Sequence, residues 1–283
     1  MNNCYLQTAV DIAREAGALL ADYFAKGVDS EAKGYFDLVT EADRASEALI
    51  LGRIRSEFPA HSVVAEESGC HAGSSAYRWY VDPLDGTKNF ARGYPAFSLS
   101  LGLEREGELV LGVVFDPIRQ EMFSAERGAG AFRNDRRIHV SRVDRLEQCL
   151  VTTGFPSAKR HRQSNLQLFC QVSMTTQGLR RTGSSALDLS YVACGRLDAF
   201  WDIGLGSWDV AAGLVLVSEA GGRCSDLRGG RFTMAAPDLL ADNSLVHDSF
   251  VRMFSEVLAG RQAIPLCISC TNGNRPPSEP RSE

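Results

Sequence analysis

The sequence has no apolar run long enough to span a bilayer, and its N-terminus lacks a basic region followed by an apolar one. Neither a membrane span nor a secretory leader is expected, and the chain reads as cytoplasmic. An excess of positive charge is missing too. The formal net charge of −5 argues against nucleic acid or an anionic membrane as a general partner. The basic pairs Arg136-Arg137 and Lys159-Arg160 read as solvated faces. Eight cysteines in 283 residues do not make a disulfide scaffold. Cys4, Cys70, Cys149, Cys170, Cys194 and Cys224 are scattered, mostly beside apolar residues, as reduced thiols would be. Cys267 and Cys270 form a lone C-x-x-C without the second ligand pair a zinc site needs. His61, His71, His139, His161 and His247 form no cluster, and no internal repeat is visible.

What is present is an ordinary globular composition, 44% hydrophobic and 23% charged, long enough for one large or two modest domains. Leu6, Val10, Ala13, Gly17, Leu20 and Phe24 recur at three- and four-residue steps, the pattern of an amphipathic helix stopped near Gly27. Residues 29–36, including Lys33, show no periodicity and read as a loop. Thr40 opens a second helix with Asp43 at the capping-box position and Ala45, Leu49 and Ile54 as its apolar face. Short strands follow over 61–65 and 78–82. Longer ones over 96–103 and 108–115 are joined by the Glu104-Arg105-Glu106-Gly107 turn, and 121–125 and 130–132 extend the meander. Helices first and a largely antiparallel sheet afterwards argue for α+β organisation.

A polar stretch at 143–147 suggests a boundary between an N-terminal subdomain (1–145) and a C-terminal one (146–260). In the second, strands over 150–153, 198–202, 223–225 and 244–246 are interleaved with helices over 160–172, 184–194 and 208–219, and a last helix follows. Gly195 and Gly221-Gly222 supply helix stops. Residues 261–283, rich in Pro, Ser and charge, are expected to be disordered.

The stretch Trp79-Tyr80-Val81-Asp82-Pro83-Leu84-Asp85-Gly86-Thr87-Lys88-Asn89-Phe90 stands apart. Its aromatic and β-branched opening is that of a buried strand. The strand ends in two carboxylates with Pro83 between them, which forbids a regular ladder. Gly86 permits a close backbone approach, and Thr87 can cap a following helix whose N-terminus would hold an anion. Hard oxygen ligands beside an anion site suit magnesium-dependent phosphate chemistry. An Asp-Pro…Asp-Gly turn accounts for the stretch alone equally well.

Three further segments decide between the two: Asp37-Leu38-Val39-Thr40-Glu41-Ala42-Asp43, Val64-Ala65-Glu66-Glu67-Ser68, and Ser207-Trp208-Asp209-Val210-Ala211-Ala212-Gly213. With the central stretch they resemble, in order and spacing, the signature of the inositol monophosphatase family, over residues 5 to 250. The resemblance implies a layered αβαβα sandwich with the site in the cleft between two subdomains, and a homodimer. It implies two or three Mg2+ held by Glu66, Asp82, Asp85, Asp209 and the Leu84 carbonyl. In it Asp43 hydrogen-bonds Thr87, and that pair with Glu66 activates a water, while Lys33 lies in a loop closing over the cluster. The phosphate would rest on Gly86 and Thr87, and Arg180-Arg181-Thr182-Gly183-Ser184-Ser185-Ala186 would face the substrate alcohol through Gly183, Ser184 and Ser185. Asp209 would border the substrate as well. Asp202 stands where inositol-hydrolysing members usually carry Glu, and Lys88 where threonine is commoner.

The reaction so implied is hydrolysis of a small phosphate ester, inositol monophosphate first. Phosphatases for 3′-phosphoadenosine nucleotides, fructose bisphosphate or histidinol phosphate are alternatives, as is a metal-binding regulator on the same fold.

Overall fold

The computed structural model describes residues 4–28, 30–34, 37–155, 162–234 and 238–261. Two helices and a small ribbon come first: α1 (Cys4–Lys26), β1 (Ser30–Gly34), β2 (Asp37–Thr40) and α2 (Glu41–Glu57). Then follow β3 (Ser62–Ala65), β4 (Gly69–His71), β5 (Tyr77–Asp85) and a single-turn α3 (Thr87–Phe90). The meander is β6 (Ser98–Arg105), β7 (Glu108–Asp116), β8 (Glu121–Glu126), β9 (Gly130–Arg133) and β10 (Arg136–Ile138). The remainder runs β11 (Leu150–Thr153), α4 (Arg162–Thr175), β12 (Gly178–Arg180), α5 (Ser185–Ala193) and β13 (Ala199–Ile203). It ends with α6 (Ser207–Glu219), β14 (Arg223–Ser225), β15 (Asp238–Asp242) and α7 (His247–Leu258).

Two sheets organise these elements. The larger has the order β10-β9-β8-β7-β6-β5-β3-β4 and is antiparallel except where β3 meets β5; the smaller has the order β12-β11-β13-β15-β14. Helices α1 and α2 cover one face of the large sheet, α5 and α6 lie between the sheets, and α4 and α7 cover the far side of the small one. The layering is αβαβα, an α+β sandwich. No helix of the described residues is long and apolar enough to cross a membrane.

Strand alternation explains how one sheet serves two cores. Leu99, Leu101 and Leu103 of β6 and Leu111, Val113 and Phe115 of β7 join the core under α1 and α2. The residues between them on β6 are Ser98, Ser100 and Gly102, and they meet α5 and α6 instead. Gly102 and Gly112 are paired across β6 and β7. A Cβ on Gly102 would lie 2.5 Å from the Ala211 Cβ, and one on Gly112 would lie 2.3 Å from the Ala212 carbonyl oxygen. These two hydrogens let α6 sit down on the sheet, and so fix where its N-terminus points.

Four local expectations are corrected. Residues 30–34 form β1 rather than loop, because Ser30, Glu31 and Ala32 pair with Thr40, Val39 and Leu38. That ribbon owes its existence to backbone pairing, which a polar sequence does not advertise. The last strand is β15 rather than 244–246, where Ser244 has φ 69° and turns the chain toward α7. Gly86, at φ 98°, is the N-cap of α3, and Thr87 is its first residue. The buried face of α2 is Ala42, Asp43, Ser46, Glu47, Ile50, Leu51 and Ile54; of the expected face, Ile54 is on it, Leu49 packs against the core at its edge, and Ala45 is half-buried. The expected disordered tail and Cys267 and Cys270 lie outside the described residues.

Replacing Gly112 by Val tests the seat of α6. Overpacking of this kind costs about 1–3 kcal/mol, read as a lower denaturant midpoint. An unchanged midpoint would mean that α6 does not depend on that close approach.

Candidate active site

The Asp82–Asp85 pair depends on an irregularity in β5. Side chains three apart on a regular strand point to opposite faces. Here Asp82 pairs with Ser100 and Asp85 with Ser98, so three steps on β5 answer two on β6. The bulge at Pro83-Leu84 turns Leu84 into the α1/α2 core and brings Asp85 back to the face Asp82 occupies.

Each aspartate is tied to nearby donors. Asp82 Oδ1 accepts from the Leu84 amide at 3.0 Å. Asp85 Oδ2 accepts from the Ser184 hydroxyl at 2.6 Å and the Ala186 amide at 2.7 Å, at the N-terminus of α5. Asp209, in the first turn of α6, accepts from the Gly206 amide at 2.6 Å. Glu66 follows β3, its amide bonded to the Val81 carbonyl at 3.1 Å.

The four carboxylates are electrostatic neighbours. Burial, and then the charges of Glu66, Asp85 and Asp209, push the Asp82 carboxyl well above the usual range. Burial, then Asp85 and Glu66, do the same for Asp209. Burial raises Asp85 to about 6, against the pull of the Ser184 hydroxyl and the Ala186 and Ser185 amides. Among the described residues, no cationic side chain is a leading cause at any of the three. Among the described residues, no three acidic, His or Cys side chains converge closely enough, as they stand, to hold an ion. By chemistry the set nevertheless fits a hard divalent cation, because it offers several mutually repelling oxygen donors.

Helix α2 braces this cluster from behind. Thr40 and Asp43 form a capping box, the Asp43 carboxylate accepting from the Thr40 amide at 2.8 Å and its hydroxyl at 2.6 Å. The Thr87 hydroxyl lies 2.9 Å from Asp43 Oδ1 and 3.0 Å from the Leu84 carbonyl, and its one proton serves one of them at a time. Burial raises the Asp43 carboxyl, while the Thr40 and Thr87 hydrogen bonds oppose that. One turn further, the Ser46 hydroxyl donates to the Pro83 carbonyl at 2.8 Å, and Glu47 accepts from the Glu67 amide at 2.9 Å. Asp43, Ser46 and Glu47 thus touch the three segments that carry Thr87, Asp82–Asp85 and Glu66. Ser46 and Glu47 were not singled out in the sequence, although their spacing from Asp43 (three and four residues) marks a polar face.

On the far side, Gly183 takes φ 87° and leads into Ser184, the N-cap of α5. Ser184 is buried, with its hydroxyl turned to Asp85, and Ser185 opens α5. Asp202 on β13 is 4% exposed, its Oδ1 accepting from the Ile203 amide at 2.7 Å. Gly154 makes room for it, since a Cβ there would fall 1.8 Å from Asp202 Oδ2. Burial raises Asp202 to about 7, with the Ile203 amide and the Arg181 charge pulling the other way. Lys88 is exposed on α3. Lys33 lies on β1, and its side chain is outside the described residues.

The comparisons with known proteins put the class of this protein as a phosphoric monoester hydrolase. The model of the inositol monophosphatase family matches residues 1–259. An inositol-1-monophosphatase of Mesorhizobium japonicum is 39% identical over 260 residues, which are 90% of this chain and 98% of that protein. The Nus factor SuhB of Escherichia coli is 42% identical over 245 residues, 85% of this chain and 92% of that one. The crystal structure of the extragenic suppressor protein suhB from Bartonella henselae superposes with a TM-score of 0.86 at 38% identity, covering 90% and 99% of the two chains. The chain belongs to the inositol monophosphatase family.

The buried acid Asp202 has a consequence for stability. A carboxyl raised to about 7 in the folded protein titrates near 3.9 when unfolded. Its contribution is therefore full below about pH 4 and is lost as the pH rises to about 7. Stability of the wild type should fall relative to Asp202→Asn across that window and run parallel to it above. Parallel curves throughout would show Asp202 to be ionised in the fold.

Proposed function

We propose that the chain is a Mg2+-dependent phosphomonoesterase acting on the monophosphate of a small polyol, inositol monophosphate first. The observation that carries this is the Asp43–Thr87 hydrogen bond standing beside the Asp82–Asp85 face. A carboxylate holding a threonine hydroxyl next to an acidic cluster can orient a water and take its proton. Glu66, Asp82, Asp85, Asp209 and the Leu84 carbonyl would hold the metal. Bound there, Mg2+ supplies Lewis-acid charge stabilisation and lowers the pKa of a coordinated water. The chain's own part would be to align an attacking water through Thr87 and Asp43, with Glu66 as a further acceptor. The amides of Gly86 and Thr87, which have no intrahelical partner, are offered to the phosphate. Asp202 and the Gly183–Ser185 segment would face the alcohol, with Lys88 and Lys33 at the rim. A homodimer belongs to the same proposal, and light scattering tests it.

The relatives named Nus factor SuhB favour a second reading, a metal-binding regulator on the same fold in place of an enzyme. A phosphate-release screen over inositol, 3′-phosphoadenosine, fructose and histidinol phosphates, with and without Mg2+, separates the readings. Release without Mg2+, or from none of these esters, would overturn the first.

Two variants refine the first reading. Thr87→Val should lower kcat by roughly 100-fold, the scale of a lost acid–base partner, with little change in metal affinity. An unchanged kcat would remove Thr87 from water activation. Asp202→Ala should cost roughly ten-fold or more in kcat/KM on inositol phosphate and much less on an aryl phosphate. Equal losses would place Asp202 in support of the fold.

A further inference from the structure

Asn89 lies in the central stretch but has no part in the chemistry described so far. It is half-buried, on the single turn of α3, and its side-chain amide bridges two segments. Nδ2 donates to the Ala96 carbonyl at 2.7 Å and to the Thr182 carbonyl at 2.8 Å. A primary amide has two N–H donors, and here each meets one carbonyl, from segments 86 residues apart in sequence (182 minus 96). The backbone of Asn89 is equally committed. Its amide donates to the Gly86 carbonyl, and its carbonyl accepts from Arg92 and Tyr94. The side chain is therefore carried on a fixed turn.

The contact leaves no slack. A Cβ on Gly183 would stand 3.1 Å from Asn89 Nδ2, and one on Gly86 would stand 3.0 Å from the Ala96 carbonyl and 3.3 Å from the Gly183 carbonyl. Both glycines have positive φ, at 98° for Gly86 and 87° for Gly183. Thr182 is also held from behind, its hydroxyl donating to Asp188 at 2.6 Å. The turn proposed to take the phosphate (Gly86-Thr87) and the segment proposed to take the alcohol (Gly183–Ser185) thus touch; Asp85 joins them through Ser184 and Ala186, and Asn89 joins them a second time through Thr182.

We infer that Asn89 is a positioning residue for substrate selection, setting the distance between the phosphate-side turn and the alcohol-side segment. The inference rests on the proposed roles of those two segments. A rigid spacing of this kind favours an ester whose alcohol fills the gap and hydrogen-bonds across it. A flat aryl ester, held by its phosphate alone, depends on the spacing far less.

The test uses the full-length protein, with Asn89→Ala and the size-matched Asn89→Asp. The aspartate sets oxygen against two carbonyls, so it should do at least as much harm as alanine. With Mg2+, KM for inositol monophosphate should rise about ten-fold, the scale of two lost hydrogen bonds, and kcat should move little. On p-nitrophenyl phosphate KM should shift several-fold less. In the free proteins, hydrogen exchange at the backbone amides of 183–186 should speed up. The wild type supplies a readout that needs no variant: the Asn89 side-chain NH2 protons should exchange far more slowly than those of a solvated amide.

Fast exchange of those protons in the wild type would overturn the bridge, whatever the substrate proves to be. Unchanged backbone exchange in both variants would overturn it as well. Faster exchange with equal losses on the two esters would overturn the role in selection. If the wild type hydrolyses no polyol phosphate, the proposed function fails, and the exchange measurements still decide the bridge.

Discussion

Like charge held together under cover is the constraint on which the rest of this structure depends. Burial raises the proton affinity of Asp82, Asp85 and Asp209, and neighbouring carboxylates, Glu66 included, add to it at Asp82 and Asp209. Such an arrangement persists only where the surroundings over-determine it. Backbone amides of Leu84, Ala186 and Gly206 each take one aspartate, so the orientation of the three aspartates is set by main chain. The acids face inward because the folds of β5, α5 and α6 leave them no alternative.

The bracing is shared between two sides. From one, a single polar turn of α2 reaches the segments carrying Thr87, the aspartate pair and Glu66. From the other, α5 caps Asp85 and α6 delivers Asp209. Buried polar contacts are costly when half satisfied and rigid when complete. The polar face of α2 therefore serves precision at the site, while the apolar residues below it, Ile50 and Ile54, hold the helix to the core.

Much of this was legible in the sequence, for physical reasons that differ by element. The opening helix and the β6–β7 hairpin announce themselves by period and by turn chemistry; Glu106 and Gly107 both take positive φ there. The break after Asp82 was readable because Pro83 cannot serve a regular ladder. What could not be read was the outcome of that break, since the register against Ser98 and Ser100 depends on a strand that comes later. The β1 strand escaped because Ser30–Gly34 has no pattern of its own and exists through its partner. Ser46 and Glu47 escaped because polar residues on a helix ordinarily mark its wet side. Gly102 and Gly112 escaped because a missing side chain gives no signal until the helix that needs its absence is in place.

That glycine seat bears on the order in which the molecule can be assembled. The residues that receive α6 lie on β6 and β7, and the helix that fills the seat arrives about a hundred residues later, with Asp209 at its leading end. Contacts of such separation form late, because the chain between them must be closed first. The large sheet can therefore complete its hairpins while Asp82 and Asp85 face open water and repel little. Only when α6 settles onto its two glycines is the fourth acid brought in and the cluster closed off. The electrostatic cost then falls on the same step that buries the apolar face of α6 between the sheets, which offsets it.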